Sequence, residues 1–302
     1  LIIYFGITAI NAILSFVITT LLTHEIAPQD YGGIYLYSAF LNFITPFITA
    51  GILAPLSVEY FKRSHDSYSR YFTNAQLIPV LSLCLFTVLC FLFQNPLAHF
   101  LKVKQYWIWV LPLTAWCIMI YETTQMLTRN NNKPWQFAFF AVGKTGLEML
   151  LTILFVLAIH WSWQGRLLSA ATAPLLLAIV SIWLFRRWRL IEKQIDWKLV
   201  KQILIISSPF IFERLGVFIM NSSGQYFIDN MVADGTAEVG LYSLGNTIAQ
   251  ILFLVVLSMN YAYQPHLFKK LSDGLKNRLH KTTIWYILAV AAASGLLVRG
   301  IP

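Results

Sequence analysis

The chain has 302 residues, of which 58% are hydrophobic and 12% charged, and its mean hydropathy is +0.65. Soluble domains carry about 25% charged residues, so these values exclude a soluble globular protein and point to an integral membrane protein. The formal net charge of +9 does not mark a nucleic-acid binder, because its Lys and Arg residues sort by loop instead of gathering on one soluble face.

A spanning helix needs about 20 mostly apolar residues, whereas a barrel strand shows about 10 that alternate apolar with polar. The long, continuous apolar runs here predict nine helices, over residues 1–23, 32–58, 75–95, 106–127, 135–159, 167–185, 202–228, 240–266 and 282–300. The expected fold class is therefore all-α, a polytopic membrane helix bundle. The chain opens on Leu1 and closes at Ile301-Pro302 on the rim of a span, and it is expected to be cut at both ends.

Alternate loops, at 59–74, 128–134, 186–201 and 267–281, hold most of the 22 basic residues; the opposite set holds Lys102, Lys104, Arg166 and Arg299. Basic loops stay in the cytoplasm, which places the N-terminus there and makes the protein a multi-pass component of a cytoplasmic membrane. Trp135, Trp183, Trp188 and Trp285 fall near cytoplasmic ends and Trp107, Trp109, Trp161 and Trp163 near outer ends, as amphipathic rings prefer the headgroup layer. The segment "FRRWRLIEKQIDWKLVK" admits two readings, an amphipathic helix on anionic lipid or a basic linker that sets topology.

One internal match stands out. "GIYLYS" from Gly33 and "GLYSLG" from Gly240 each open a span after an acidic loop, each span closes on Phe-Lys (Phe61-Lys62 and Phe268-Lys269), and Tyr35 matches Tyr242. The repeat pairs the first two helices with the seventh and eighth. Its unit is six helices, an even number, so both copies share one orientation and enclose a site at their interface. The expected organisation is an N-terminal lobe over 1–190, a basic cytoplasmic linker over 191–201, and a second lobe over 202–302 truncated after about three helices.

Several stretches resemble the polysaccharide (O-antigen) flippases of the multidrug/oligosaccharidyl-lipid/polysaccharide exporter superfamily. They are "IAPQDYGGIY", "AGILAPLSVEYFKR", "SSPFIF", "QYFIDNMV", "EVGLYSLGNTIAQ" and "QPHLFKK". Where many relatives have an Asp-Arg pair, this chain has Gly224-Gln225, so no role of that pair carries over. The resemblance implies two six-helix lobes around a central cavity, and a bacterial inner-membrane transporter. Its cargo would be an isoprenoid-diphosphate-linked oligosaccharide, moved from the cytoplasmic to the outer leaflet for polysaccharide or lipopolysaccharide biosynthesis. The alternatives are a multidrug/cation antiporter or a cell-wall precursor flippase of the same superfamily. A membrane glycan polymerase is a further alternative, disfavoured by the short outer loops.

Five ionisable residues fall inside spans: Glu122, Lys144, Glu148, Glu213 and Arg214. A charge at mid-membrane costs about 2.5 to 3.5 kcal/mol on insertion scales, so such groups face the bundle interior, pair, or line water. Lys144 and Glu148 stand one helical turn apart and within pairing reach, with Lys144 about 13 Å along its helix from Trp135. Glu213 and Arg214 point about 100° apart and address different partners.

The functional reading gives Lys144 and Arg214 to an anionic diphosphate or acidic sugar, and Glu148 or Glu213 to the exchange of H+ or Na+ that drives reorientation. The competing reading is a neutralised pair that fixes helix packing. Glu122 is assigned to the membrane interface. Cys84, Cys90 and Cys117, like the six histidines, lack ligand spacing, so no metal, cofactor or catalytic set is expected. The expected partners are the lipid-linked oligosaccharide, membrane lipids and a coupling ion, with no nucleic acid.

Overall fold

The computed structural model describes residues 28–101 and 103–231, with scattered positions between 6 and 26 and between 263 and 268. In chain order the helices are α1 (Pro28–Thr49), α2 (Leu53–Lys62), α3 (His65–Leu92), α4 (Gln94–Leu101), α5 (Gln105–Asn130), α6 (Pro134–Thr152), α7 (Ser162–Arg187) and α8 (Trp197–Met231). A π-helical turn, Ile153–Ala158, prolongs α6. Among the described residues, four helices (α3, α6 with its π turn, α7 and the Trp197–Met220 part of α8) are long and apolar enough to cross a membrane, and the spans number up to six if the bent pairs α1–α2 and α4–α5 each count as one. The predicted spans 1–23, 240–266 and 282–300, and the second copy of the internal repeat, lie outside the described residues.

The apolar runs and the helices coincide, but the ends do not. Hydropathy opened the third span at residue 75, whereas α3 begins at His65. Its polar start is helical because Ser64 precedes it in extended conformation, Asp66 lies in the first turn, and Ser69 Oγ donates to the His65 carbonyl at 2.9 Å. An acid there complements the exposed N–H groups of the first turn. Membrane-style hydropathy sees only the part of a helix that lipid must cover, so polar helical extensions read as loop.

Helix α5 is the axis of the bundle and packs against α1, α3, α4, α6 and α7. Two apolar cores stack along it. One, at the end where the basic α2–α3, α5–α6 and α7–α8 turns lie, gathers Tyr68, Phe72, Met119, Leu127, Phe185 and Ile203. The other gathers Tyr37, Ile44, Ile48, Ile108, Leu111 and Leu167. The buried hydroxyls of α5 are satisfied within the helix: Thr114, Thr123, Thr124 and Thr128 each donate to the carbonyl four residues back. The outward surface carries Leu85, Val88, Phe139, Leu150, Ile179 and Trp183, all exposed, as an apolar solvent permits. Cys90 and Cys117 are buried in these cores, and Cys84 is exposed on α3.

The predicted second span breaks. Ala50 and Gly51 adopt φ of 48° and 66°, and the helix axis from Tyr37–Thr49 to α2 turns by 41°. The left-handed conformation suits Gly51 for a second reason: a Cβ there would stand 2.5 Å from the Ser207 carbonyl oxygen and 2.8 Å from Phe210 Cβ. The kink is thus pressed directly onto α8.

The α7–α8 connection is not an amphipathic surface helix. Residues 188–196 carry no helix and run as a strap pinned along the start of α3. Ser69 Oγ donates to the Arg189 carbonyl at 3.0 Å and Thr73 Oγ1 to that of Leu190 at 3.1 Å, while the Glu192 N–H donates to Thr73 Oγ1 at 2.8 Å. Asn74, fully buried, accepts from the Asp196 N–H at 2.7 Å. Arg70 pairs with Asp196 at 2.9 Å. Asp196 Oδ1 in turn accepts from the N–H groups of Lys198 and Leu199 at 3.0 and 3.2 Å and caps α8. The segment sets more than topology: it fixes where α8 begins relative to α3.

Candidate functional site

Four residues before the end of α6, Glu148 is buried and holds two cations. Its Oε2 lies 2.5 Å from Lys144 Nζ on the preceding turn, and its Oε1 lies 2.5 Å from Arg166 Nη1 on α7. The carboxylate side chain is 7% exposed, while Lys144 and Arg166 keep 30% and 20% of theirs open. The acid is therefore sealed, and positive charge faces the accessible side. Thr152 Oγ1 donates to the Glu148 carbonyl and meets Ser169 Oγ at 2.8 Å, and Ser169 Oγ donates to the Arg166 carbonyl. These bonds lock α6 and α7 in the register that lets Arg166 reach Glu148.

Sequence reading assigned Arg166 to an outer loop and so missed it as a partner. The cause is local. After the π turn the chain reverses through His160 and Ser162, both at positive φ (59° and 47°), and Phe155 stacks on Trp161 at 5.8 Å. Gly165 then passes so close to Phe155 that a Cβ would lie 3.0 Å from its backbone. Only a glycine allows that approach, and it brings the next residue, Arg166, over the end of α6. The available signal was "SWQGRLLS": begun at Ser162 instead of Leu167, the helix carries Arg166 inward.

Glu122 lies on α5, eight residues before the helix ends at Asn130. Between Thr114 and Asn130 every residue of α5 is buried except Trp116, Ile118, Glu122 and Gln125. Ile118, Glu122 and Gln125 recur at the i, i+4, i+7 spacing of a single helical face. That face opens this half of α5, and Glu122 feels the charges of Arg214 on α8 and Lys144 on α6. Among the described residues it forms no ion pair within 4 Å. On α1, Tyr35 of the repeat motif lies within electrostatic reach of Arg166.

The two candidates on α8 separate by face. Ser207 abuts Gly51, Ile211 packs on the core at the basic end, and Phe218 meets Phe43 of α1 with ring centroids 5.6 Å apart. These positions, with Arg214 between them, follow the i, i+4, i+7, i+11 pattern of a single face. By this spacing Arg214 lies toward the side of α8 turned to α1 and α3 and Glu213 on another side, and both are exposed, Glu213 without an ion pair among the described residues. The structure thus brings Lys144, Glu148 and Arg166 into contact from two helices, while Glu122, Arg214 and Glu213 form no ion pair among the described residues. The cluster comprises two cations and one fully engaged carboxylate.

Residues 1–270 match the family described as polysaccharide biosynthesis protein. A membrane protein of Haemophilus influenzae, described as uncharacterized, is 24% identical over 290 residues, which covers 92% of this chain and 67% of that one. Among solved structures, an outward-facing transporter of the MATE family, within the MOP superfamily, matches with a TM-score of 0.75 at 13% identity, over 99% of this chain and 72% of its own. The multidrug transporter DinF-BH, solved in complex with R6G, matches at 0.74 and 13% identity over 94% and 67%. A mutant of the Vibrio cholerae MATE transporter VcmN matches at 0.65 and 13% identity over 99% and 68%. At such identities the likeness establishes the fold.

Proposed function

The chain belongs to the polysaccharide biosynthesis protein family, and on that premise we propose that it is a transporter that flips an isoprenoid-diphosphate-linked oligosaccharide across a bacterial cytoplasmic membrane. The observation that carries this reading is the positive bias of the intramembrane cluster. Lys144 and Arg166 share one sealed carboxylate, and Arg214 stands beyond it on α8. A diphosphate is the part of such a cargo that most needs help in low dielectric, where attraction to fixed cations is strongest. Arg166 joins Lys144 and Arg214 as a residue of the cargo path. The guanidinium forks of Arg166 and Arg214 suit phosphate oxygens bidentately, and Lys144 acts as a point charge.

In this reading residues 1–190 form one lobe, 191–201 the connection and 202–302 the start of a second lobe of the same orientation. The basic end of the bundle faces the cytoplasm, as does the N-terminus. The protein performs no covalent chemistry; it reorients its lobes, driven by H+ or Na+ exchange at a carboxylate. An antiporter for cationic drugs, which the MATE-like fold also accommodates, fits less well, because a cation cargo would meet Lys144, Arg166 and Arg214 before it met an unpaired acid.

Cells lacking the protein should accumulate lipid-linked glycan in the cytoplasmic leaflet, read by accessibility of the glycan to an impermeant labelling enzyme in sealed vesicles of either orientation. Complementation with Lys144→Ala or Arg214→Ala should leave the protein present in the membrane but restore little flipping. An unchanged leaflet distribution in the deletion strain would rule out this function.

A further inference from the structure

A hollow of about 740 Å³ opens where α4 turns into α5, at the end of the bundle away from the basic turns. Its size falls in the range of small-molecule sites, about 300 to 1,000 Å³. Its walls include His99 of α4, Lys104 at the break, Gln105 and Tyr106 at the start of α5, and Trp163 at the start of α7. Aromatic rings and polar tips thus face one space. Gln105 Nε2 donates to Asn95 Oδ1 at 2.6 Å, which holds that amide in place. The His99 ring, the Lys104 ammonium, the Tyr106 hydroxyl and the Trp163 indole N–H make no hydrogen bond or ion pair among the described residues. A belt of aromatic rings at the headgroup layer accounts for Trp109 and Trp161, which are 49% and 51% exposed. It does not account for Trp163, which packs on the second apolar core and lines the hollow.

Resting on the cargo reading above, we propose that this hollow is a subsite for a sugar ring of the cargo glycan, at the outer end of its path. The chemistry of the walls selects that occupant. A sugar ring has an apolar C–H face that stacks on an aromatic ring, and a rim of hydroxyls that exchange hydrogen bonds with amide, phenol, indole and imidazole groups. An acyl chain would leave those polar groups without partners, and a cationic molecule would meet Lys104 with no acid among the described walls. The position agrees with the chemistry. Trp163 and Arg166 stand three residues apart on α7, so their Cβ atoms are about 5 to 6 Å from each other, and Arg166 shares Glu148 with Lys144. A sugar joined directly to a diphosphate lies one ring away from it. With the diphosphate against Arg166 and Lys144, the first sugars reach Trp163 and Tyr106 on the next turn outward. The two sites divide the cargo: the cations hold the group common to every isoprenoid diphosphate, and the hollow reads the glycan.

The test uses the full-length protein in lipid nanodiscs with two probes: geranylgeranyl diphosphate, which carries no sugar, and the lipid-linked oligosaccharide extracted from the deletion strain. Trp163→Ala and Tyr106→Ala are each expected to weaken binding of the glycolipid about tenfold and to bind geranylgeranyl diphosphate like the parent. Lys144→Gln and Arg166→Gln should weaken binding of both probes. If the two aromatic variants bind the glycolipid like the parent, or lose both probes equally, the sugar subsite is overturned; where the cation variants still lose both, the cargo reading survives. If the cation variants bind both probes like the parent, or the deletion strain yields no lipid-linked oligosaccharide, the cargo reading fails and takes this inference with it. Should Trp163→Ala not fold, Tyr106→Ala, at a position 44% exposed, decides alone by the same outcomes.

Discussion

Arg166 Nη1 lies 2.5 Å from Glu148 Oε1, joining the start of α7 to the last turns of α6 across a hairpin. The contact turns a local i, i+4 pair into a three-residue cluster with surplus positive charge. It also ties the two helices through a carboxylate whose side chain is only 7% exposed.

Glu148→Ala leaves both Lys144 and Arg166 without a counter-charge in a poorly solvated place. It should cost about 2 to 4 kcal/mol, toward the lower end of what breaking a buried pair costs because both cations retain some exposure. Arg166→Ala should cost less, since Lys144 still compensates the carboxylate. Thermal unfolding of detergent-solubilised protein orders the variants; an Arg166→Ala loss equal to that of Glu148→Ala would mean that Lys144 contributes nothing.

Gly165→Ala places a methyl 3.0 Å from the backbone of Phe155. Phe155 sits in the π turn and cannot yield by a rotamer change, so α7 must move off α6 at about 1 to 3 kcal/mol. The displacement pulls Arg166 from Glu148. The cost of Gly165→Ala and that of Arg166→Ala should therefore add to less than their sum in the double variant, by 0.5 kcal/mol or more.

Gly51→Ala meets two obstacles at once, a φ of 66° and a Ser207 carbonyl 2.5 Å away. The combined cost should be roughly 2 to 4 kcal/mol. By contrast, Ala50→Gly at φ 48° relieves strain and loses one buried methyl of about 0.8 kcal/mol, so it should be near neutral. A melting comparison of the two variants separates a clash with α8 from a general intolerance of change at the kink.

Asp196 carries the pH dependence of the strap. The Leu199 N–H, then the Lys198 N–H and Arg70, hold its carboxyl below the usual range against a smaller opposing effect of desolvation. Because the folded pKa is depressed, the stabilisation is fully present above the unfolded value of about 3.9. It is lost as pH falls through the lower, folded value. Hydrogen exchange at residues 188–199 should therefore quicken below about pH 4 in the parent protein. In Asp196→Asn it should be fast at neutral pH and change little on acidification.

Much of this architecture was legible from composition and pattern. The apolar runs located every span that the described residues contain, because lipid demands about 20 apolar residues whatever the neighbours are. The cost of charge in hydrocarbon singled out Lys144, Glu148, Glu213 and Arg214 before any fold was known, and the i, i+4 spacing foretold the Lys144–Glu148 pair. Arg166 was misplaced because it lies near a span end, where hydropathy cannot tell a polar helical turn from a loop.

Sequence alone determined that the chain is a helical membrane protein with charges where they are expensive, since solvation of single residues is a local property written in residue type. Which charges meet was decided only by the tertiary structure. Arg166 reaches Glu148 through a π turn and a glycine approach. The kink at Gly51 seats against α8. Each is a relation between helices, set by rotation and close approach at contacts far apart in the chain, to which a pattern of spacing along one helix carries no information.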